Sequence, residues 1–206
     1  MRDGVIFILT LIHISALGQN HLGGQPSDLS PDGKFELLVT KKELTSDLNK
    51  EWKYWLVSKH LTYNDTLLLT TAITHDGPPP QTFWDKSSKQ LIYEDQSTRE
   101  NVIKIYQLVD KKVIFETKGL IWGDKKKHYD QERGIILFFK YADRTTFDLM
   151  TLDIETKQIK KIKSIATSGD PLTGVPQISN IDVARRELVL IIQNSGYKSE
   201  KIKIKY

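Results

Sequence analysis

One pattern occurs four times in this sequence: DLSPDGKFELLV at residues 28–39, DKSSKQLIYED at 85–95, DQERGIILFF at 130–139 and DVARRELVLII at 182–192. Each stretch begins with an aspartate, continues through a short polar turn and then contains an apolar run. These runs are rich in β-branched, leucine and aromatic residues and are too short for helices, so they predict strands. The repetition predicts four similar β units along one chain.

Further strand-like runs surround each of these stretches. A second run follows every unit, a third follows the first three units, and a short run precedes each of the last three aspartates. The second runs are residues 52–58, 102–108, 146–152 and 200–206; the third runs are 65–71, 111–117 and 158–164; the preceding runs are 81–84, 126–129 and 177–181. A four-stranded unit that recurs about every 40–50 residues is the signature of a propeller blade.

The first turn carries a family resemblance. Asp28-Leu29-Ser30-Pro31-Asp32-Gly33-Lys34 resembles the SPDGK turn of WD40-like repeats, of the TolB type and of the propellers attached to prolyl peptidases, and residues 147–156 are similar to their outer hairpin. The resemblance implies an all-β fold, a propeller-like stack of about four antiparallel sheets. Such a stack is a closed four-bladed ring, an open or partial propeller, or a half-ring that pairs with another copy.

The amino-terminal segment has the pattern of an export signal. Residues 1–18 contain a short charged start, an apolar run from Val5 to Leu17 and a small-x-small site at Ala16 and Gly18. The alternative is a membrane anchor, but the apolar run is shorter than the ~20 residues that span a bilayer. We therefore expect a signal peptide at 1–18 and a single propeller-like domain at 19–206, without a membrane span after processing.

Composition narrows the class of protein. The chain has 206 residues, of which 27% are charged and 39% hydrophobic, and no cysteine. This balance is typical of a globular protein, and the lack of cysteine excludes disulfides and thiolate chemistry. An exported chain without cysteine indicates the periplasm or exterior of a bacterium and makes nucleic acid an improbable partner. Residues 111–206 hold all of the basic excess. This excess indicates either attraction to anionic envelope polymers or protection of exposed strand edges, and we favour the second.

Five residues are candidates for ligand binding because they stand near the ends of the inner strands: Trp84, Asp85, Tyr129, Asp130 and Asp182. The alternative, which we favour for the recurring aspartates, is that each side chain accepts hydrogen bonds from its own turn. For each aromatic residue the alternative is packing between sheets. Loop histidines such as His128 are expected to be solvated. The sequence contains no HExxH, GxSxG or glycine-rich phosphate loop, so we predict no catalytic residue, metal site or cofactor.

The pattern therefore favours an exported, non-enzymatic binding or scaffold protein with a protein or polysaccharide partner in the cell envelope. The alternative is a propeller-type carbohydrate hydrolase or lyase with Asp85 and Asp130 at the channel mouth. That chemistry needs two carboxyl groups within about 10 Å of each other. Sequence spacing does not give this distance.

Alternation along the strands also predicts which side chains are buried. Residues 135–139 are apolar throughout, so this strand is expected to be covered on both faces. Ile136, Phe138, Val189 and Ile191 are expected in the core. In the last strand, residues 201–206, Ile202 and Ile204 are expected to point inward, whereas Lys201, Lys203 and Lys205 point to solvent.

Overall fold

The computed structural model describes residues 28–43, 49–59, 64–75, 80–97, 100–167, 176–193 and 199–206. These residues form fifteen strands, arranged in four antiparallel sheets. The predicted signal peptide and its cleavage site lie outside the described residues. Among the residues described, no helix is long and apolar enough to cross a bilayer.

Each sheet is a meander in which strands that are consecutive in sequence pair with each other. Sheet 1 contains β1 (Asp28–Leu29), β2 (Phe35–Glu43), β3 (Asn49–Lys59) and β4 (Asn64–His75). Sheet 2 contains β5 (Thr82–Trp84), β6 (Gln90–Asp95), β7 (Val102–Gln107) and β8 (Lys112–Lys118). Sheet 3 contains β9 (Tyr129–Asp130), β10 (Ile135–Tyr141), β11 (Thr146–Asp153) and β12 (Ile159–Ala166), and sheet 4 contains β13 (Gln177–Asp182), β14 (Glu187–Gln193) and β15 (Ser199–Lys205).

Three hydrophobic clusters join these sheets face to face in chain order. The cluster between sheets 1 and 2 contains Leu37, Tyr54, Leu56, Trp84, Leu91, Tyr93, Tyr106 and Leu108. The cluster between sheets 2 and 3 contains Phe83, Ile92, Ile103, Ile105, Ile121, Ile136, Phe138, Leu152 and Ile154. The cluster between sheets 3 and 4 contains Leu120, Leu137, Phe139, Phe147, Leu149, Ile165, Ile178, Leu188, Leu190, Ile192 and Ile204. The fold is therefore an all-β, propeller-like stack of antiparallel sheets, as the sequence predicts.

Strand β10 confirms the expectation that its unbroken apolar run is covered on both faces. Ile136 and Phe138 point into the cluster shared with sheet 2, whereas Leu137 and Phe139 point into the cluster shared with sheet 4. All four side chains are fully buried. Alternate residues of a strand point to opposite faces, so one strand serves two cores.

The prediction for β14 is wrong by one residue. Leu188, Leu190 and Ile192 fill the core, whereas Val189 and Ile191 are only partly buried. Val189 pairs with Lys203 and Ile191 pairs with Lys201, so both lie on the face that carries the lysines of β15. The prediction for β15 is confirmed at its lysines and at Ile204, which is buried; Ile202 is partly buried against the same cluster.

A short 3-10 turn, Lys125–Lys127, which we call the lysine turn, lies among the first strands of the sheets. It precedes β9, contacts β13 of sheet 4, and reaches β1 of sheet 1 through an ion pair of 3.0 Å between Lys125 Nζ and Asp28 Oδ2. Segments that are distant in sequence therefore meet where the first strands of the sheets come together.

Candidate functional site

A cavity of about 410 Å³ lies at this convergence, and we call it the inner-strand cavity. Its walls come from three places in the chain: β1 with the turn after it, β5, and the lysine turn with β9. The lining residues are Asp28, Leu29, Pro31, Thr82, Phe83, Trp84, Lys125, Lys126, Tyr129 and Gln131. Sheets 1, 2 and 3 each contribute, so the cavity exists only when the units are assembled.

Asp28 ties the three walls of the cavity together. Its Oδ2 atom accepts a hydrogen bond from Thr82 Oγ1 at 3.1 Å and an ion-pair contact from Lys125 Nζ at 3.0 Å. Its backbone oxygen accepts a hydrogen bond from Trp84 Nε1 at 3.1 Å. A carboxylate that accepts from a hydroxyl and an ammonium group is held in one orientation. The cavity wall is therefore preorganised.

The aromatic residues of the cavity are mostly used by the protein itself. Phe83 and Trp84 are only 5% and 7% exposed, and they point into the cores on either side of sheet 2. Tyr129 contacts the edge of Phe83, with ring centroids 5.4 Å apart. These rings form the floor of the cavity, and packing between sheets accounts for most of their surface.

The hydroxyl of Tyr129 is buried and has no hydrogen-bond partner among the described residues. Burial, reinforced by the nearby charges of Asp85 and Asp130, raises the pKa of this tyrosine to about 12. A buried hydroxyl without a partner destabilises the fold, because it has lost its hydrogen bonds to water.

The three lysines of the lysine turn differ in their partners. Lys125 pairs with Asp28, and Lys127 pairs with Asp124 at 3.9 Å. Lys126 lines the cavity and makes no side-chain contact with a charged or polar group of the described residues. It is therefore the one lysine of this turn without an ion-pair partner in the part of the chain that the structure describes.

His128 anchors the C-terminal end of the lysine turn. Its ring is fully buried, with Nδ1 2.8 Å from the carbonyl oxygen of Leu137 and Nε2 3.0 Å from that of Trp122. Burial lowers the pKa of this histidine, although the two carbonyl contacts oppose that shift. The expectation of a solvated loop histidine is wrong here, because the ring packs against Phe139, with ring centroids 6.1 Å apart, and both of its nitrogen atoms face backbone carbonyl groups.

The structure divides the five predicted site residues into two groups. Trp84 and Tyr129 line the inner-strand cavity, and Asp85, Asp130 and Asp182 do not. Asp85 accepts from the backbone nitrogen atoms of Ser87 and Gln90, at 3.2 and 2.7 Å. Asp130 and Asp182 accept from the backbone nitrogen atoms three residues later, at 3.2 and 3.0 Å. These bonds are those of the turn interpretation that we favoured; a role of the five residues in ligand binding stays a prediction.

Asp28 is not the structural counterpart of Asp85, although the sequence pattern aligns them. Ser30 takes that position: its backbone nitrogen donates to Phe35 O at 2.9 Å, as that of Asp85 donates to Gln90 O at 3.1 Å. The Ser30 hydroxyl accepts from Phe35 N in the same place. Asp28 lies two residues earlier, on β1, where its side chain binds Thr82 and Lys125 at the cavity and not its own turn. The extra two residues between Asp28 and the first strand were the available signal in the sequence.

No protein-family model matches this sequence, and no curated protein matches it significantly. Solved structures do resemble it. TolB from Acinetobacter baumannii aligns with 85% of this chain and 56% of its own, at 12% identity and a TM-score of 0.43. The β-propeller domain of the Trilobed protease from Pyrococcus furiosus, described as having an open velcro topology, aligns with 85% of this chain and 51% of its own, at 15% identity and a TM-score of 0.46. The chain thus spans about half the length of these two structures, and the likeness concerns the fold alone.

Removing the hydroxyl of Tyr129 is expected to stabilise the protein. Tyr129→Phe should raise the free energy of unfolding by about 1 kcal/mol, the low end of the cost of a buried unpaired polar group. Urea denaturation at pH 7 measures the change.

Tyr206→Phe is the matched control. The Tyr206 hydroxyl donates to Asp130 Oδ2 at 3.2 Å, so its removal should cost about 1 kcal/mol. A loss of stability in Tyr129→Phe that equals the loss in Tyr206→Phe would show that the Tyr129 hydroxyl has a partner after all.

Proposed function

We propose that this protein is an exported, non-enzymatic binding module that holds its ligand in the inner-strand cavity, with a protein or polysaccharide of the bacterial cell envelope as partner. The observation that carries the proposal is the cavity itself. Its volume of about 410 Å³ falls within the range of ligand sites, about 300–1,000 Å³, and it combines an apolar floor with a few polar groups. Export rests on the pattern of residues 1–18.

The rigid surroundings of the cavity support a binding role. The turn of sheet 1 is tied to that of sheet 2 by a bond from Asp32 N to Ser88 Oγ, 2.9 Å long. The turn of sheet 3 is tied to sheet 4 by a bond from the Arg133 side chain to Val183 O, 2.8 Å long. A wall that is already ordered loses little conformational entropy when a ligand binds.

Hydrolysis or elimination on a carbohydrate is not supported by the cavity. Those reactions use two carboxyl groups, one as acid and one as base or nucleophile. Among the described residues, Asp28 is the only carboxylate in the lining, and it is paired with Lys125. Asp85 and Asp130, the carboxylates of that alternative, are occupied by their turns.

Blocking the cavity tests the proposal. Leu29→Trp places a large side chain at the cavity wall, at a position that is 42% exposed. Leu67→Trp is the matched control, because Leu67 is also 42% exposed and lies on β4, outside the lining. The measurement is a two-dimensional NMR titration with a panel of tripeptides and soluble cell-wall oligosaccharides. The amide signals of residues 82–84 and 125–131 should shift in the wild type and in Leu67→Trp, but not in Leu29→Trp.

The opposite result would be shifts of equal size in Leu29→Trp, or shifts confined to surfaces away from these residues. Either one would remove the inner-strand cavity as the binding site. The NMR spectrum of each variant also reports whether its fold is intact, so a blocked cavity is distinguishable from an unfolded protein.

A further inference from the structure

We propose that the inner-strand cavity takes a carboxylate that has an apolar group beside it, as at the C-terminal end of a peptide with an apolar last residue. This inference rests on the proposed function of the cavity and specifies its ligand. Three features carry it: the charge balance of the lining, the two polar side chains without partners, and the way the aromatic rings are buried.

The charged side chains of the lining itself favour an anion. The nearby carboxylates Asp85 and Asp130 are bound by their own turns, and Asp130 is also paired with Arg133. Asp28 and Lys125 neutralise each other across 3.0 Å, so neither presents a net charge to a ligand. Lys126 remains as a positive charge in the lining. An anion that enters the cavity gains a charge-assisted contact with this ammonium group, whereas a cation is repelled by it.

The two polar side chains without partners are able to bind the C-terminal end of a peptide. Lys126 and Gln131 both line the cavity, both are exposed, and neither side chain bonds to another described residue. An ammonium group supplies donors for a carboxylate, and a glutamine amide supplies one acceptor and two donors for the neighbouring peptide group. The carboxylate and the last peptide unit of a chain thus both find counterparts on the same wall.

The apolar part of the lining favours a side chain over a sugar ring. A sugar binds aromatic residues by stacking on an exposed ring face, but Phe83 and Trp84 are almost entirely buried. The lining residues with the most accessible apolar surface are Leu29, which is 42% exposed, and Pro31, whereas Tyr129 is only partly exposed and its ring lies against Phe83. Aliphatic surface of this kind gains free energy by contact with another aliphatic side chain.

A pair of probes that differ only in the carboxylate tests the inference. The probes are acetylated Ala-Ala-Leu with a free carboxylate and the same tripeptide as its C-terminal amide. In NMR titrations of the purified protein, the acid should bind about tenfold more tightly than the amide, since a charge-assisted contact contributes about that factor. The difference should shrink in high salt, because Lys126 is exposed.

Variants of Lys126 test whether this lysine causes the preference for the acid. Lys126→Gln should bind acid and amide equally, and Lys126→Arg should restore the preference for the acid. Lys163→Gln, at an exposed lysine of β12, should leave the preference unchanged. These exposed positions tolerate substitution, so loss of folding does not confuse the result.

Three outcomes would contradict the inference. Equal binding of acid and amide at the cavity would remove the preference for an anion while the proposed function of the cavity stands. Stronger binding of glucuronate than of the tripeptide acid would identify an acidic sugar, and not the C-terminus of a peptide, as the preferred ligand. Probes that shift no cavity amide would contradict the inference, and the wider panel with Leu29→Trp then decides separately whether the cavity binds anything.

Discussion

Replacing Phe138 by alanine is expected to lower the free energy of unfolding by about 3–5 kcal/mol, the range for truncation of a buried phenylalanine. Phe138 is fully buried in the cluster between sheets 2 and 3. Its loss leaves a void where both neighbouring sheets have fixed backbones, so the site cannot collapse. Urea denaturation followed by tryptophan fluorescence measures the change.

A neighbouring glycine provides an internal check on this result. A Cβ atom added at Gly119 would clash with Cδ2 of Phe138 and lie 2.8 Å from its Cε2. Gly119→Ala should therefore destabilise the wild type by overpacking, typically by about 1–3 kcal/mol. In the Phe138→Ala background the ring is gone, and the same glycine substitution should cost much less.

Val109→Ala is the surface control, because Val109 is 79% exposed. It should change stability by no more than about 0.5 kcal/mol. A loss below about 1 kcal/mol in Phe138→Ala would contradict the placement of β10 between two cores. Additive costs in the double variant would contradict the close approach of Gly119 to the ring.

The sheets were predictable because their signals are local. Each turn begins with Asp or Ser, contains a residue with positive φ and leads into an apolar run; Gly33, with φ of 71°, and Gly134, with φ of 66°, serve this purpose. Ser88 and Arg186 adopt the same left-handed conformation without being glycine, with φ of 56° and 55°. The turns are therefore alike in structure although their sequences differ, so the glycine of the first turn is not a signal that all the repeats share.

The face of β14 was not predictable from β14 alone. Residues 188–192 are all apolar, so alternation within this strand does not distinguish its two faces. The information lies in β15, where the lysines alternate with isoleucines and pair with Val189 and Ile191. The buried face therefore depends on the register between two strands, which the alternation of either strand does not contain.

The cavity could not be predicted from the sequence, for a similar reason. Asp28 and Lys125 are 97 positions apart, and their contact depends on how three sheets stack around the lysine turn. The aromatic residues near the inner strands were visible in the sequence, and Trp84 and Tyr129 do line the cavity. The run of lysines at 125–127 was visible as an excess of charge, but which lysine would remain without a partner is a property of the assembled fold.

Glu94 is expected to make the stability of this protein fall as the pH rises from about 4.5 to about 7. The side chain is fully buried; Oε1 accepts from Ile121 N at 3.0 Å, and Oε2 accepts from Gln81 N and Gln96 Nε2, each at 3.2 Å. Burial raises the pKa of Glu94 from 4.5 to about 7, and the three donors only partly oppose this shift.

The sign follows from proton linkage. Between the two pKa values the folded protein keeps a proton that the unfolded chain has already released, so folding is favoured at the acidic end of this window. The folded state loses this advantage as the pH rises through about 7. At about 1.4 kcal/mol per pKa unit, the free energy of unfolding should fall by about 3 kcal/mol across the window.

Glu94→Gln isolates this contribution, because glutamine does not titrate. Free energies of unfolding measured at intervals between pH 4.5 and 7.5 should show a smaller fall in the variant than in the wild type. The difference between the two profiles removes the effect of His128, whose lowered pKa acts in the opposite direction, since a buried neutral histidine loses stability as the pH falls. Asp95 titrates below the window: burial raises its pKa, but hydrogen bonds from Lys104, Thr70 and Ser97 together lower it to about 2. Parallel profiles for wild type and variant would show that Glu94 is ionised throughout, and that its three donors outweigh its burial.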